Sequence, residues 1–261
     1  PAHPANQGRL CSKGAALGET MGLEGRLLHP MVGGKRASWD AALDTTAEGF
    51  RRALTEHGPQ GAALYVSGQL LTEDYYAANK FAKGFLGTGN IDSNSRLCMA
   101  SAVAGHRRAF GEDLVPGTYE DLECADLVIL VGSNLAWCHP VLHQRILAAK
   151  ATRPMMRIAV VDPRRTARCE AADLHLALRP GSDVALFAGL LAHLGKGGFA
   201  IPDGIRQSLD VPGLTGLDPA QIAIFNEWFT RTERVVTLWS QGTNQSSSGT
   251  DKANAIINCH L

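Results

Sequence analysis

Short apolar runs separated by turn residues predict a chain that alternates strands and helices. Ser38 can cap a helix whose apolar positions Leu43, Ala47, Phe50 and Leu54 share one face, and Gly58-Pro59 ends it. Ala62–Val66 reads as a buried strand, followed by the polar loop Ser67-Gly68-Gln69. Thr72 opens a second helix with Glu73 and Asp74 in its first turn, and this helix is expected to run to about Leu86. The stretch GTGNIDSNSR (87–96) reads as a loop, and Cys98 stands at or just before the helix of MASAVAGHRRAF.

Asp126–Val131 is the clearest strand. It runs into Gly132-Ser133-Asn134, then a helix with Pro140 in its first turn, then the strand Arg157–Val161 and Asp162. One strand–loop–helix–strand unit of this kind indicates a doubly wound parallel sheet. Pro180-Gly181-Ser182-Asp183 opens a further helix, 195–217 reads as a surface excursion, and Asp218-Pro219 starts the next helix. Arg234–Trp239 is the last strand, leading into the Ser/Gly/Asn loop SQGTNQSSSGTD (240–251) and a final helix.

Composition narrows the possibilities. Twenty-five basic residues balance twenty-five acidic ones, so no excess of charge favours nucleic acid or an anionic membrane as partner. The apolar runs have strand length, far below a membrane span, and the first residues carry no apolar leader core, so a cytoplasmic protein is expected. The start at Pro1 points to a fragment. Six cysteines at long, irregular intervals, without a CxxC pair, suit reduced thiols better than a zinc site or a disulfide framework.

Small residues after a parallel strand let backbone N–H groups approach an anion, and an acid closing the next strand can accept hydrogen bonds from a ribose. That is nucleotide-binding logic at 132–134 and Asp162, although no GxGxxG is present, and ordinary tight turns would read the same. Asp183 could cap its helix or meet a purine edge, and 240–251 could be a solvated linker or a ligand-facing loop. A helix start and nearby Arg96, Arg107 and Arg108 would favour the thiolate of Cys98, a nucleophile or a soft-metal ligand.

Together these segments resemble a family. Asn94-Ser95-Arg96-Leu97-Cys98-Met99-Ala100-Ser101-Ala102 is similar to the molybdenum-ligand segment of molybdopterin-dependent oxidoreductases of the bis-molybdopterin guanine dinucleotide class. VGSNLAWCHP, VVDPRRT, RPGSD and SQGTNQSSSGTDKANAIINCHL resemble its cofactor-binding segments in their usual order, the last most like the assimilatory nitrate reductases. The resemblance covers nearly the whole chain.

The resemblance implies that Cys98 ligates molybdenum and that Met99 lines the substrate pocket, where formate dehydrogenases usually carry His. It implies pterin contacts from Gln69, Asn94, Gln241, Gly242, Asn244 and Gln245, and phosphate contacts from Gly132, Ser133 and Asn134. Asp162, Thr166, Gly181 and Asp183 would take a guanosine arm. Cys11 would be the last ligand of a [4Fe–4S] cluster whose other three cysteines this chain lacks, with Lys13 between cluster and pterin.

The implied activity is reduction of nitrate to nitrite, fed by ferredoxin, flavodoxin or an NADH-linked reductase. A formate dehydrogenase-like enzyme, a non-catalytic electron-transfer scaffold and a plain NAD-binding domain are the alternatives. The implied fold is α/β and truncated relative to the family. It would comprise a remnant of an iron–sulfur domain (1–37), a discontinuous lobe (38–97 with 230–261) and an inserted Rossmann-like parallel-sheet domain (98–229).

Overall fold

A computed structural model describes residues 3–201 and 209–261, with Arg168 described for its backbone alone. The chain forms two compact units, one of residues 16–98 and one of residues 1–15 with 99–261.

The smaller unit opens with a hairpin of β1 (Met31–Val32) and β2 (Lys35–Arg36). Gly33 and Gly34 turn it, at φ +58° and +76°, the left-handed pair that a two-residue hairpin loop requires. Helix α1 (Trp39–His57) follows, its N-terminus capped by the Ser38 hydroxyl, which accepts from the Ala41 N–H at 3.2 Å. Gly58 ends it at φ +66°. Strand β3 (Leu64–Val66) pairs in parallel with β4 (Ile91–Ser93). The connection is α2 (Thr72–Asn79), continued by a π-helical segment Lys80–Phe85. Asp74 accepts from the Leu71 N–H at 3.2 Å, which fixes the start of α2.

The larger unit contains α3 (Ala100–Phe110), α4 (Tyr119–Cys124), β5 (Leu127–Val131), α5 (Pro140–Thr152), β6 (Arg157–Val161) and β7 (Leu174–Leu176). It continues with α6 (Asp183–Lys196), α7 (Val211–Thr215), α8 (Pro219–Arg231), β8 (Val235–Trp239) and α9 (Gly249–Asn258). The four strands form one parallel sheet in the order β7-β6-β5-β8.

Alternation along the strands divides the core in two. Ile129, Val131, Ala159 and Val161 face Leu186, Phe187, Leu190, Phe225 and Ile256, from α6, α8 and α9. Val128, Leu130, Ile158 and Val160 face Leu122 and Ile146, from α4 and α5. Helices thus cover both faces, which is why β5 is apolar at every position. Helix α3 lies close on α9, where a Cβ at Gly105 would come within 2.9 Å of the Ala253 methyl.

The α/β class and the parallel sheet agree with the expectation from sequence. Strand β8 pairs with β5 along its full length, within the unit of residues 1–15 and 99–261. The stretch 240–251 is not a plain loop, since Gln241–Asn244 makes one helical turn and α9 starts at Gly249. Within the expected excursion at 195–217, residues 202–208 lie outside the described residues. Among the described residues no helix is long and apolar enough to cross a membrane.

Candidate cofactor-binding site

In the larger unit the expected site residues gather at the carboxyl ends of the sheet. The chain proceeds outward from β5 through β6 to β7, then returns to the other side of β5 as β8. The order reverses between β5 and β8, and in open α/β sheets ligands occupy the crevice at such a switch point. Gly132 and Gly242 meet there. Gly132 sits at φ +54°, and a Cβ on it would lie 2.7 Å from the Gly242 carbonyl carbon. The two loops are joined by a bond from the Gly242 N–H to the Gly132 carbonyl (3.0 Å) and one from the Thr243 hydroxyl to the Val131 carbonyl (3.2 Å).

The same geometry brings Met99 to the β8 loop. The Asn244 amide nitrogen lies 3.6 Å from the Met99 sulfur, across 145 residues of sequence. Gly249 makes the approach possible, since a Cβ there would stand 2.2 Å from the Asn244 carbonyl oxygen and 2.9 Å from the Ser101 Cβ.

The two ends of the sheet differ in polarity. At the amino end, Asp126 accepts from Arg234 at 2.8 and 2.9 Å and from Arg153 at 3.1 Å. The Arg234 bond, more than its charge, holds that carboxyl below the usual range. At the carboxyl end the Ser133 hydroxyl, the Asn134 side-chain oxygen and the Thr166 hydroxyl are buried without a protein partner. Buried polar atoms are nearly always satisfied, so three orphans in the β5 and β6 loops mark a place where a polar ligand fits. Asp162 closes β6 as a buried acid, one carboxylate oxygen accepting from the Arg164 N–H at 2.8 Å and shaping the turn toward Thr166.

Gly181, at φ +88°, has no atom within 4 Å of where its Cβ would stand. It borders an open cleft of about 570 Å³, shared with Arg179, Ser182 and Leu214. A second depression, ringed by Glu19, Thr20, Gly22, Glu24 and Arg26, holds none of the expected site residues. Asp183 does not cap α6. Its carboxylate takes the Lys252 ammonium at 2.8 Å, both groups buried. Lys252 escaped the reading from sequence, and its signal is a lone cation among Ala253, Ile256 and Ile257 on the buried face of α9. Gln241 is exposed, and its side chain accepts from the Ser240 hydroxyl, while Gln245 closes the helical turn through its N–H to the Gln241 carbonyl at 2.9 Å.

The N-terminal arm belongs to this unit. Cys11 precedes the helical turn Ser12–Ala15, and its thiol is held below its ordinary value by the Gly14 N–H first and then by the N–H and charge of Lys13.

In the smaller unit the expected residues again follow parallel strands. Gln69, exposed, lies in the loop after β3, and Asn94 follows β4. The Asn94 side-chain oxygen accepts from the Gly68 N–H at 2.6 Å and so ties the two loops together. Cys98 ends the turn Ser95–Cys98, half-buried, with its N–H on the Asn94 carbonyl at 3.1 Å. Arg96 reaches toward Asp92 at 3.9 Å, Arg108 toward Asp251 at 3.5 Å, and Arg107 stands in the last turn of α3. Of the remaining cysteines, Cys169 and Cys259 are buried and Cys124 and Cys138 are exposed. Among the described residues no three His, Cys, Asp or Glu side chains form a metal-binding group.

Comparison with known proteins places these features in a family. The family model for molybdopterin oxidoreductases matches residues 26–261. A nitrate reductase of Klebsiella oxytoca is 57% identical over 99% of the chain, and one of Shewanella frigidimarina is 48% identical over 99%. A periplasmic nitrate reductase of Desulfovibrio desulfuricans is 37% identical over 98%. The chain spans 31%, 30% and 38% of the lengths of these three relatives. The acetylene hydratase of Pelobacter acetylenicus has the same fold over the whole chain, at TM-score 0.78 and 22% identity, with 38% of that protein covered. A match over nearly all of the chain, together with a glycine-lined switch point and orphaned polar atoms at its mouth, shows that the chain belongs to the molybdopterin oxidoreductase family.

Proposed function

We propose that the intact protein reduces nitrate to nitrite at a molybdenum centre held by Cys98 and two molybdopterin guanine dinucleotides, and that this chain supplies part of the cofactor bed. The observation that carries the reading is the contact of Met99, the residue after the expected metal ligand, with Asn244 of the loop at the switch point. The high identity to proteins named nitrate reductase supports it.

The group, when bound, supplies two-electron oxygen-atom transfer, so that nitrate, two electrons and two protons give nitrite and water. The chain's own residues do the positioning. Gly132 and Gly242 let the β5 and β8 loops pack backbone to backbone, which would set Gly132 beside the phosphates and Gly242 beside the pterin, and Ser133, Asn134 and Thr166 would use their orphaned atoms on phosphate and ribose. Asp162 would accept from ribose with the carboxylate oxygen that the Arg164 N–H leaves open. Gly181 leaves the cleft beside it open to a guanosine arm, and Asp183, fixed by Lys252, shapes that loop. Gln69, Asn94, Gln241, Asn244 and Gln245 would bind the pterins, and Met99 would line the substrate pocket. Cys11 would be one of four thiolates on a [4Fe–4S] cluster, with Lys13 as the contact toward the pterin. The assimilatory setting rests on the resemblance of 240–261, and a ferredoxin, flavodoxin or NADH-linked donor goes with it.

The test is Cys98→Ala in the intact protein. Nitrate turnover and bound molybdenum should both fall to background while the far-ultraviolet circular dichroism stays unchanged. Near-normal nitrate reduction in that variant, or formate oxidation without nitrate reduction in the wild type, would refute the proposal.

A further inference from the structure

One buried ion pair sits where the packing of the fold does not call for it. Helix α9 turns Gly249, Lys252, Ala253, Ile256 and Ile257 inward, and Lys252 brings a charge into that apolar face. Its ammonium lies 2.8 Å from Asp183 Oδ2, with 4% and 9% of the two side chains exposed. Apolar residues of similar volume often replace such a pair without loss of stability, because desolvation offsets the attraction. Lys252 also stands in the first turn of α9, where the helix dipole disfavours a cation. Neither core packing nor helix stability accounts for it.

Its position does. Both partners occupy the first turns of helices at the carboxyl end of the sheet. Asp183 opens α6 after the loop that leaves β7, and Lys252 follows the loop that leaves β8, its N–H on the Ser248 carbonyl at 3.0 Å. The pair therefore joins the elements that follow the two edge strands. Between those edges lie β6 and β5, whose loops carry the orphaned Thr166, Ser133 and Asn134 atoms. An ammonium only donates and a carboxylate only accepts. With Oδ2 on the ammonium, Asp183 is held as an acceptor, and its other oxygen is the one that a ligand can use. Guanine presents adjacent donors on one edge, the N1–H and the 2-amino group, whereas hypoxanthine lacks the amino group.

We propose that Lys252 is a positioning residue for base recognition, holding Asp183 as an acceptor for the donor edge of guanine. This rests on the reading of the β7 loop as the seat of a guanosine arm. Glutamine at 252 would keep a donor near Oδ2 but no countercharge, and a buried carboxylate without one takes up a proton or turns toward water. Arginine would keep the charge.

Two measurements on the 261-residue chain test it, with guanosine and inosine 5′-monophosphates as probes. The wild type should bind the guanosine nucleotide about tenfold more tightly, the worth of one hydrogen bond to a charged acceptor. Lys252→Gln should reduce that preference to about twofold or less, and Lys252→Arg should retain most of it. A merely structural pair would lower the urea midpoint in Lys252→Gln and leave the ratio of affinities unchanged. The second measurement needs no folded variant. In the wild type the Lys252 ammonium nitrogen resonance should move when the guanosine nucleotide binds and stay in place with ribose 5-phosphate, which carries no base. A Lys252→Gln variant that keeps the preference, or an ammonium resonance that ignores the base, overturns the proposal and leaves the guanosine reading standing. A wild type that binds neither nucleotide, or both equally, sinks that reading and the proposal with it.

Discussion

The two units present the same device on different foundations. Each places its expected ligand loops directly after parallel strands, β3 and β4 in the smaller unit, β5, β6 and β8 in the larger. In the larger unit β5 is buried at every position, between two helical layers. In residues 16–98 only Ala62, Ala82, Leu86 and Thr88 are buried, Tyr65 of β3 is 72% exposed, and no residue of α1 is buried. Loop geometry after a strand depends on backbone pairing and glycine placement, whereas stability depends on depth of core. The first can be present with little of the second, and substitutions should separate them.

The largest effect is expected at the ion pair beneath the Gly181 loop. Lys252→Met leaves Asp183 as a buried carboxylate without its partner, which costs about 3–5 kcal/mol in comparable buried pairs. Urea denaturation of the larger unit, followed by a probe in α9, should show the midpoint fall sharply. The double variant Lys252→Met with Asp183→Leu should recover much of the loss, since the orphaned charge is then gone. Failure of the double variant to recover would mean that the pair acts by more than mutual neutralisation.

Next comes the contrast between strands. Ile129→Ala in β5 should cost about 3 kcal/mol by deleting methyl groups from a closed core. Tyr65→Ala in β3 should stay within about 0.5 kcal/mol, because the side chain is already in water. Equal costs at the two positions would erase the distinction between the units.

The glycines at the strand ends extend the contrast on a smaller scale. Gly132→Ala meets backbone at 2.7 Å from a positive φ, so the loop must move, at about 2 kcal/mol. A Cβ at Gly68 meets the Asn94 side-chain oxygen at 2.8 Å, and a side chain can swing away. Gly68→Ala should therefore cost less than Gly132→Ala while breaking the tie between the β3 and β4 loops. Thermal melts of the two variants check the order.

What the sequence revealed follows the same physics. Strands β5 and β6 were legible to within a residue because a parallel strand covered on both faces is an unbroken apolar run. Strand β7, Leu174-His175-Leu176, and β4, Ile91-Asp92-Ser93, were not legible, because three residues carry no period. They are strands only because β6 and β3 lie beside them. Helix α4 had a readable signal in Thr118 and Asp121, whose side chains cap each other's backbone. The pairing of β8 with β5 is a long-range choice among similar apolar runs, and local pattern does not make it. The glycine and polar loops after β5, β6 and β8 were legible as motifs, while the partner of Asp183 was visible only once α9 had been packed against α6.

The smallest predicted effect bears most directly on function. Ser133 is 2% exposed and its hydroxyl has no protein partner. In the ligand-free chain that hydroxyl is a cost, and Ser133→Ala should raise stability by about 1 kcal/mol. If the hydroxyl exists to meet a phosphate, the same variant in the intact protein should retain less guanine nucleotide, measured after acid release against a molybdenum standard. A residue kept for packing would show the opposite pair of results, lower stability with unchanged nucleotide. The sign of two measurements on one hydroxyl therefore decides whether the carboxyl end of the larger sheet is built for a ligand or only for itself.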